Sequence, residues 1–532
     1  APRSQPPLEI IDDKRAPSGP DSTLRFVLGA LTVEGATVFS SEELTAPYSD
    51  RYGKEVSLAE ALAIAEAMTR RYRAAGYLLS RVILPTEQGA LDPANAHLRL
   101  TALEGYISAA RIEGDPALVA RFRSYWADAK ARLLAQKPLK HADFEREMLL
   151  LSDLPGIRVS SRFEADEEGG AGASLLVLEL LAKPLEGSLS LGNSGTKSAG
   201  RGLLTVSAGF SWPLIGSHSA VSYTQARVKG EYAAWSFAHT HRFANGLGVN
   251  ASWAKSESPK PDSDFARIFD YETASRTFAA DVDYPLIRGR DKNLSMGLSY
   301  EHRNGRSDLL DAPYARDRLR SLTWEINYDV SDAFLGGGVT QIMPAVTRGL
   351  DWFDATDQSP EASSPQAPAR FTRYRLYLSR TQNLPARFSL AGSFSAQRTN
   401  APLTSYYRES LGGSQYGRGY APGVIENDNS LAASIEARRD VSLAALSLQP
   451  YVFLDWGKTW AHGRTAAGDR GEEYLASAGI GARLFGQFVR APAAAAFAPR
   501  FSLNIFYARP LRAAGEVDTS DQRIFVQGAL SF

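Results

Sequence analysis

Apolar residues recur along the chain with two different periods, and the period changes near residue 184. Before that point, apolar positions recur every three or four residues in several segments, which is typical of helices packed on one side. After it, apolar and polar residues alternate in segments of about ten, which is typical of strands with two unlike faces. The pattern therefore predicts an α+β region over residues 25–183 and a region of strands over residues 184–532.

The first part of the α+β region, residues 25–104, has the predicted order strand, helix, helix, strand, strand. Ser57 and Glu60 form a capping-box pair that predicts a helix start, and Gly76 predicts the end of that helix. A strand is predicted over residues 77–84. The apolar face predicted for the helix consists of Leu58, Leu62, Ala65, Met68 and Tyr72.

The same order recurs about eighty residues later, over residues 105–183. Asp115 and Pro116 predict a helix start, because aspartate is a favoured cap and proline a favoured first helical residue. The inward face predicted for this helix consists of Val119, Phe122, Trp126, Ala129 and Leu133. The repeat therefore predicts two copies of one small α+β domain, preceded by a proline-rich tail or linker at residues 1–24.

The alternation after residue 184 is regular enough to assign faces to the strands. One face carries Leu322, Trp324, Ile326 and Tyr328, and the other carries Thr323, Glu325, Asn327 and Asp329. Short connections, such as 243–246 and 383–386, take turns with long ones, such as 305–317, 350–370 and 399–429. Short turns at one rim and long loops at the other are typical of a transmembrane antiparallel barrel, here of about sixteen strands.

Composition narrows the classes of function. Lysine plus arginine equals aspartate plus glutamate at 59 each, so net charge gives no reason to expect nucleic acid as a partner. Cysteine is absent, which suits an envelope or extracellular protein. The sequence contains no apolar run near the roughly 18 residues that a membrane-spanning helix needs. A helical membrane protein is therefore excluded, whereas a membrane barrel is compatible with the sequence.

One long connection carries candidate chemistry. Residues 411–423 are rich in glycine and contain a single guanidinium, that of Arg418. About forty residues later, alternation places Phe453, Asp455 and Gly457 on the lumen-facing side of a predicted strand. The residues alone allow two interpretations: a fixed arginine that meets a fixed carboxylate, or a surface loop and an unrelated aspartate.

Other motifs do not predict an enzyme. The Gly-Asn-Ser-Gly segment 192–195 resembles the nucleophile region of a serine protease, but the histidine and aspartate framework of such an enzyme is missing. His239 and His241 have the spacing of metal ligands, yet a third ligand is not identifiable and an interfacial aromatic girdle is the favoured interpretation. Seven charged residues are predicted to face the lumen, where they contact a client or form a solvated wall: Asp281, Asp283, Glu325, Arg373, Arg375, Glu436 and Arg438. We therefore predict no catalytic residues, no metal and no cofactor.

Two small α+β domains, then a barrel with Arg-Gly-Tyr in the long loop before its twelfth strand, resemble a two-partner secretion transporter (TpsB family) of the BamA-like superfamily. The resemblance covers residues 25–532. It implies that residues 25–104 and 105–183 are polypeptide-transport-associated (POTRA) domains 1 and 2. It also implies that the loop 398–429 folds back into the lumen of the barrel 184–532.

The resemblance also assigns site residues. In that family the loop tip reads Val-Arg-Gly-Tyr or Val-Arg-Gly-Phe, and a barrel strand carries Phe-x-Asp-x-Gly. The matching residues are Gly417, Arg418, Gly419 and Tyr420 in the loop and Phe453, Asp455 and Gly457 in the strand. Gly417 departs from the valine of the family pattern. The family role implies that Arg418 pairs with Asp455.

The implied function is protein export across the outer membrane of a Gram-negative bacterium, with the POTRA domains in the periplasm and outer-membrane lipids around the barrel. The implied partner is a secreted β-helical protein of the adhesin or haemolysin type, captured unfolded by strand addition. Three alternatives stay open. An insertase of the same superfamily typically carries three or more POTRA domains, a diffusion porin lacks them, and a soluble multidomain enzyme needs a catalytic constellation.

Overall fold

The structure is a computed structural model of the chain. It describes residues 25–532 apart from 86–91, 167, 197–199, 212–213, 261–267, 444–445, 464–470, 489–497 and 515–517. The predicted tail, residues 1–24, lies outside the described residues. The chain divides into two compact units between Ala182 and Lys183, one residue before the predicted boundary.

The first domain contains four strands and two α-helices, with the bounds β1 (Arg25–Glu34), α1 (Ser41–Thr45), β2 (Glu55–Ser57), α2 (Leu58–Ala74), β3 (Arg81–Ile83) and β4 (Ala96–Leu103). The sheet order is β2-β1-β4-β3, and β1 and β4 are parallel. The predicted capping box is confirmed, because Ser57 caps α2 and Glu60 accepts a hydrogen bond from the Ser57 backbone N–H. The predicted strand 77–84 is shorter, since only Arg81–Ile83 pairs with β4.

The buried face of α2 confirms Ala65, Met68 and Tyr72 of the five predicted residues, whereas Leu58 is only partly buried and Leu62 is exposed. Leu62 is 43% exposed, so its assignment to the apolar face was wrong. The face is formed instead by Ala61, Ile64, Ala65, Met68, Thr69 and Tyr72. Helical spacing explains the difference, because Leu62 lies one position beyond the row that starts at Ala61 and returns at Ala65.

The second domain repeats this plan with the bounds β5 (Tyr106–Glu113), α3 (Pro116–Tyr125), α4 (Ala127–Ala135), α5 (His141–Ser152), β6 (Ile157–Ala165) and β7 (Ala173–Ala182). Its sheet order is β5-β7-β6. Asp115 caps α3 through hydrogen bonds from the backbone N–H groups of Ala117 and Leu118. The predicted long helix is interrupted at Trp126, yet all five residues predicted to face inward are buried.

The second unit is a closed antiparallel barrel. Its strands are β8 (Leu185–Gly192), β9 (Leu203–Phe210), β10 (Ser217–Ala226), β11 (Ala233–Arg242), β12 (Gly248–Ser258), β13 (Tyr271–Arg288), β14 (Lys292–Leu309), β15 (Ala312–Asp332), β16 (Gly338–Gly349), β17 (Thr372–Leu384), β18 (Phe388–Thr399), β21 (Asn429–Arg439), β22 (Val441–Leu443), β23 (Leu446–Trp460), β24 (Glu473–Gln487), β25 (Arg500–Pro510) and β26 (Arg523–Ser531). Because β21 and β22 are two parts of one strand that pairs with β23, the described residues form sixteen barrel strands, as predicted. Among the helices that the structure describes, none has both the length and the apolar character required to cross a membrane.

The long connections differ from the prediction at one place. The predicted connection 305–317 is wrong, because β14 continues to Leu309 and β15 begins at Ala312. The turn consists of Leu310 and Asp311, which have positive φ angles of 52° and 61°. β14 and β15 have 18 and 21 residues, more than the roughly 9–11 that cross a membrane. Their outer parts carry polar residues on both faces. The sequence therefore predicts a loop where these strands continue.

The barrel closes where β26 pairs with β8, and the Gly-Asn-Ser-Gly segment lies at the end of this junction. The Asn193 side chain donates a hydrogen bond to the Ile524 carbonyl (2.8 Å) and accepts one from the Val526 N–H (2.9 Å). Asn193 thereby continues the strand pairing beyond the last backbone ladder pair. The segment has a structural role at the closure of the barrel.

The two histidines lie on the outer surface of β11. Nδ1 of His239 is 2.8 Å from Ser219 Oγ, and Nδ1 of His241 is 2.8 Å from Ser217 Oγ. The His241 ring also packs edge-on against Phe243. The described part of the chain contains no group of three or more acidic or histidine side chains placed to hold a metal ion.

Candidate functional site

The connection between β18 and β21, residues 400–428, extends into the lumen of the barrel. Near its ends two short strands, β19 (Glu409–Leu411) and β20 (Ile425–Asn427), pair as a hairpin. The hairpin holds a glycine-rich tip whose central side chains are buried, with Arg418 5% and Tyr420 0% exposed. A surface loop would leave these side chains exposed to water. The loop motif, residues 417–420, is instead buried inside the barrel, where it meets the Phe-x-Asp-x-Gly motif of β23.

Arg418 contacts Asp455 of β23 through three hydrogen bonds. The Arg418 side chain donates from Nε to Asp455 Oδ2 (3.0 Å) and from Nη2 to Asp455 Oδ1 (2.8 Å). The backbone N–H of Arg418 also donates to Asp455 Oδ2 (2.9 Å). This two-pronged contact uses both carboxylate oxygens and fixes the position of the loop backbone together with the side chain.

Glu436 of β21 is the second carboxylate of the site. It accepts a hydrogen bond of 2.7 Å from Arg418 Nη1 and contacts Arg483 and Arg438 as well. The sequence placed Glu436 among the lumen-facing charges but did not connect it with Arg418. The register between β21 and β23 would have revealed this connection, because Glu436 is the cross-strand partner of Phe453 and Ser434 is the partner of Asp455. We call Arg418, Ser434, Glu436 and Asp455 the Arg418 site.

Phe453 and two serines complete the surroundings of the buried charges. The guanidinium carbon of Arg418 lies 3.4 Å from the centroid of the Phe453 ring, which is a cation–π contact. Ser434 lies beside Asp455 on β21 and Ser477 lies beside it on β24, and both hydroxyls donate to its carboxylate, at 2.8 and 3.3 Å. Asp455 is therefore fully partnered although its side chain is 0% exposed.

The glycines of both motifs provide space for close contacts. A Cβ atom at Gly419 would lie 2.7 Å from the backbone of Arg509 and Pro510, and one at Gly457 would lie 2.7 Å from Leu411 Cδ1. Gly417 has a positive φ of 78°, and a Cβ there would lie 2.8 Å from Leu475 Cδ1. Leu475 occupies the space that a side chain at position 417 would need. The glycine that stands in place of the family valine therefore fits beside this leucine.

Tyr420 and Arg523 attach the tip to the last strands. The Tyr420 hydroxyl donates to the Arg512 or Ala476 carbonyl and accepts from the Ala476 N–H at 3.2 Å. Arg523 of β26 donates to the carbonyls of Gly413 (2.9 Å) and Tyr420. The tip therefore contacts β21 and β23–β26, which together form one continuous part of the barrel wall.

The start of the loop has its own anchor on β14. The Tyr406 hydroxyl donates to Glu301 Oε2 (2.8 Å), and the Tyr407 hydroxyl donates to Glu301 Oε1 (3.3 Å). Arg303 lies 4.0 Å above the Tyr406 ring. Tyr406, Tyr407 and Glu301 form what we call the loop-root contact, and this contact was not predicted from the sequence.

Sequence comparison identifies the family to which this architecture belongs. A family model described as haemolysin secretion/activation protein ShlB/FhaC/HecB matches residues 172–484, more than half of the chain. The model for the POTRA domain, ShlB-type, matches residues 26–105. The chain belongs to the haemolysin secretion/activation protein family. It is therefore an outer-membrane β-barrel transporter of two-partner secretion with a POTRA domain at its N-terminal side.

Individual relatives agree with this assignment. The chain is 25% identical to the heme/hemopexin transporter protein HuxB of Haemophilus influenzae over 430 residues, which cover 78% of this chain and 73% of HuxB. It is 26% identical to the outer membrane transporter CdiB of Escherichia coli over 467 residues, which cover 84% and 73% of the two chains. The solved structure of CdiB from Escherichia coli has the same fold, with a TM-score of 0.71, 21% identity, and coverage of 100% of this chain and 94% of that one.

Proposed function

We propose that this transporter captures an unfolded secreted partner with two POTRA domains, residues 25–104 and 105–183, and passes it through the barrel to the cell surface. The partner is of the β-helical adhesin or haemolysin type. Family membership supports export, and the recurring domain plan supports a second POTRA domain at 105–183. The expected surroundings of the barrel are outer-membrane lipids.

The observation that carries the proposed mechanism is the Arg418 site. One arginine, two carboxylates and a phenylalanine ring fix a long loop inside the lumen with side-chain exposures of 5% or less for the charged groups. Removing one partner of such a buried charge pair costs about 3–5 kcal/mol, far more than a surface pair contributes. The loop therefore has one defined position in the resting transporter, and Arg418 with Asp455 maintains it.

Strand addition at the second domain is the proposed mode of capture. In the first domain the outer strands of the sheet, β2 and β3, are three residues long. In the second domain the outer strands β5 and β6 have eight and nine residues. A longer outer strand offers more backbone donors and acceptors to an extended client, so β5 and β6 are better templates than β2 and β3.

Export of a partner with and without its N-terminal region tests the function. We expect the full-length partner to reach the medium only when the transporter is present, and the truncated partner to stay in the periplasm. Assembly of other outer-membrane proteins serves as the control. If those proteins fail to assemble without this chain while partner export continues, the protein is an insertase. Large conductance through the purified barrel together with partner-independent leakage of solutes would instead identify a porin.

A further inference from the structure

The outer face of the barrel carries a row of aromatic residues near the rim with the long loops. On β11, β12 and β13 this aromatic row consists of the cross-strand partners Phe237, Trp253 and Phe278. Their side chains are between 43% and 45% exposed, although all three are large and apolar. Exposed aromatic residues at such a position form the interfacial girdle of a membrane barrel. The aromatic row therefore marks the level where acyl chains end and headgroups begin.

The next outward positions, toward the long loops, form a row of polar residues with three cations. The row consists of cross-strand partners on four neighbouring strands: Lys255 (β12), Arg276 (β13), Asn304 (β14) and Arg318 (β15). We call it the basic row. It lies two residues beyond the aromatic row, or about 7 Å along the strands. Its four positions contain no carboxylate, so the row has a positive charge directly beside the apolar surface.

Two of the cations lie at directly opposite positions. Lys255 and Arg276 are cross-strand partners, which places their Cβ atoms about 5 Å apart, and like charges in this arrangement destabilise a sheet. Lys255 has a carboxylate partner, Glu257 Oε1, at 2.5 Å. Arg276 is exposed and makes no side-chain hydrogen bond or ion pair with any residue that the structure describes. The pair therefore keeps a positive charge that the described part of the chain does not neutralise.

Other arginines of the outer face have their own carboxylates. Arg306 and Arg316 are also cross-strand partners, one outward position farther from the aromatic row, and Asp308 contacts both of them. At the opposite rim, Arg380 of β17 lies 2.7 Å from Asp332. The β13 arginine of the basic row has no such carboxylate among the described residues. The difference indicates that its anion comes from outside the chain.

The connectivity of the barrel determines which leaflet the basic row faces. β8 begins directly after the small domains, and its first residue, Leu185, pairs with Phe210 beside the short connection 211–216. The chain therefore enters the barrel at the rim with the short turns. This rim is the periplasmic one, because POTRA domains of this family lie in the periplasm. The basic row, near the other rim, lies at the headgroup level of the outer leaflet.

We propose that the basic row binds the phosphate groups of a phosphorylated glycolipid in the outer leaflet, whose acyl chains cover the aromatic row. Arg276 can donate to two phosphate oxygens at once, and Lys255 adds a compact charge opposite it, so the pair forms a clamp for one anionic group. The exposed aromatic surface directly below the clamp favours a lipid over a soluble anion. The site does not involve the exported partner and is therefore independent of the proposed function.

Binding of a phosphorylated lipid to purified variants tests the site. Lys255→Gln combined with Arg276→Gln removes both opposed charges, and Arg439→Gln is the matched control, an exposed arginine beside Phe388 near the short-turn rim. The probe is bisphosphorylated lipid A, added to the full chain in non-ionic detergent with EDTA and detected by native mass spectrometry. We expect the double variant to bind about ten-fold more weakly than the wild type, because charge-assisted hydrogen bonds are lost. Arg439→Gln should bind like the wild type.

Two further probes identify the chemistry of the ligand. Lipid A without phosphate groups should bind the wild type and the double variant equally weakly. Inorganic phosphate should displace little of the bound lipid, because it has no acyl chains to cover the aromatic row. Heat modifiability shows that each variant is folded, and the double variant leaves no buried charge unpaired, since Glu257 is 46% exposed.

The other outcomes each overturn the proposal. Equal binding of bisphosphorylated lipid A by the folded double variant would remove the basic row as its site. Equal binding of the lipid with and without phosphate groups would show that acyl chains alone are recognised. Displacement by inorganic phosphate would identify a site for free anions, and displacement by an acidic peptide would identify a docking surface for protein.

Discussion

The two halves of the barrel wall follow the same alternation but enclose different contents. In the packed half, β23–β26, large inward residues such as Leu475 and Phe506 are buried, at 0% and 2% exposure, against the loop or against one another. In the open half, β13–β17, small and charged residues such as Ser299 and Glu325 line a cavity. Period-two alternation determines which residues face inward, whereas the volume of those residues determines whether the lumen is filled or free.

The largest effect is expected at the charge that fixes the loop to the packed half. Arg418→Ala leaves Asp455 and Glu436 buried without their shared cation, which costs about 3–5 kcal/mol and releases the tip. We expect secretion to be abolished or greatly reduced while the barrel still assembles, as measured by partner in the medium and by heat modifiability. Arg418→Lys should rescue little, because an ammonium cannot donate to both Asp455 oxygens from the same position. Normal secretion by an inserted Arg418→Ala variant would contradict the role of the site.

The next effect compares cavities made in the two halves. Leu475→Ala removes a fully buried side chain that packs against Gly417 and Gly457, and we expect a loss of about 2–5 kcal/mol in the free energy of unfolding. Ser299→Ala, in the open half, should stay within about 0.5 kcal/mol. Thermal unfolding in detergent micelles measures both. Equal stability of the two variants would show that the packed half is no better packed than the open one.

A smaller effect is expected from a single added methyl group at the tip. A Cβ atom at position 419 meets the backbone of β25, which cannot move as a side chain can, so Gly419→Ala should cost about 1–3 kcal/mol. Gly392→Ala on β18 is the matched control, because a Cβ there has no neighbour within 4 Å. Limited proteolysis of the loop reports the difference. Cleavage at the same rate in both variants would mean that the tip is not held against β25.

The smallest effect is expected at the loop root, beside the cavity. Tyr406→Phe removes one hydrogen bond to Glu301 and keeps the ring, so we expect about 0.5–1.5 kcal/mol in stability and a modest change in secretion. Single-channel conductance of the purified barrel is the sensitive readout. Loss of secretion as complete as that of Arg418→Ala would show that the root, and not the tip, holds the loop in place.

Much of this architecture follows from short-range patterns. The repeat of helices and strands predicts the two small domains, and alternation with unequal connections predicts the sixteen-strand barrel and its long loop. Phe453, Asp455 and Gly457 face inward because every second residue of a strand does. Both motifs of the Arg418 site could therefore be found in the sequence, and the resemblance to a family brought them together.

The rest depends on contacts between residues distant in the chain. Glu436 was one of several inward charges, and only the register between β21 and β23 distinguishes it from Arg375 or Asp281. The cavity depends on small residues from several strands lying side by side, which alternation within one strand does not reveal. The hairpin at Leu310 was missed because strands that continue past the membrane have no lipid-facing side.

The junction that closes the cylinder has a dynamic consequence. Its ladder runs over five partner pairs, from Gln527–Gly192 to Ser531–Ser188, whereas β13 and β14 share seventeen. Fewer backbone hydrogen bonds must break together there, so spontaneous local opening of the barrel wall begins at this junction. In deuterated water, the amide protons that bond across this junction are therefore expected to exchange before those of the β13–β14 ladder, and the side-chain hydrogen bonds of Asn193 oppose further opening at its end.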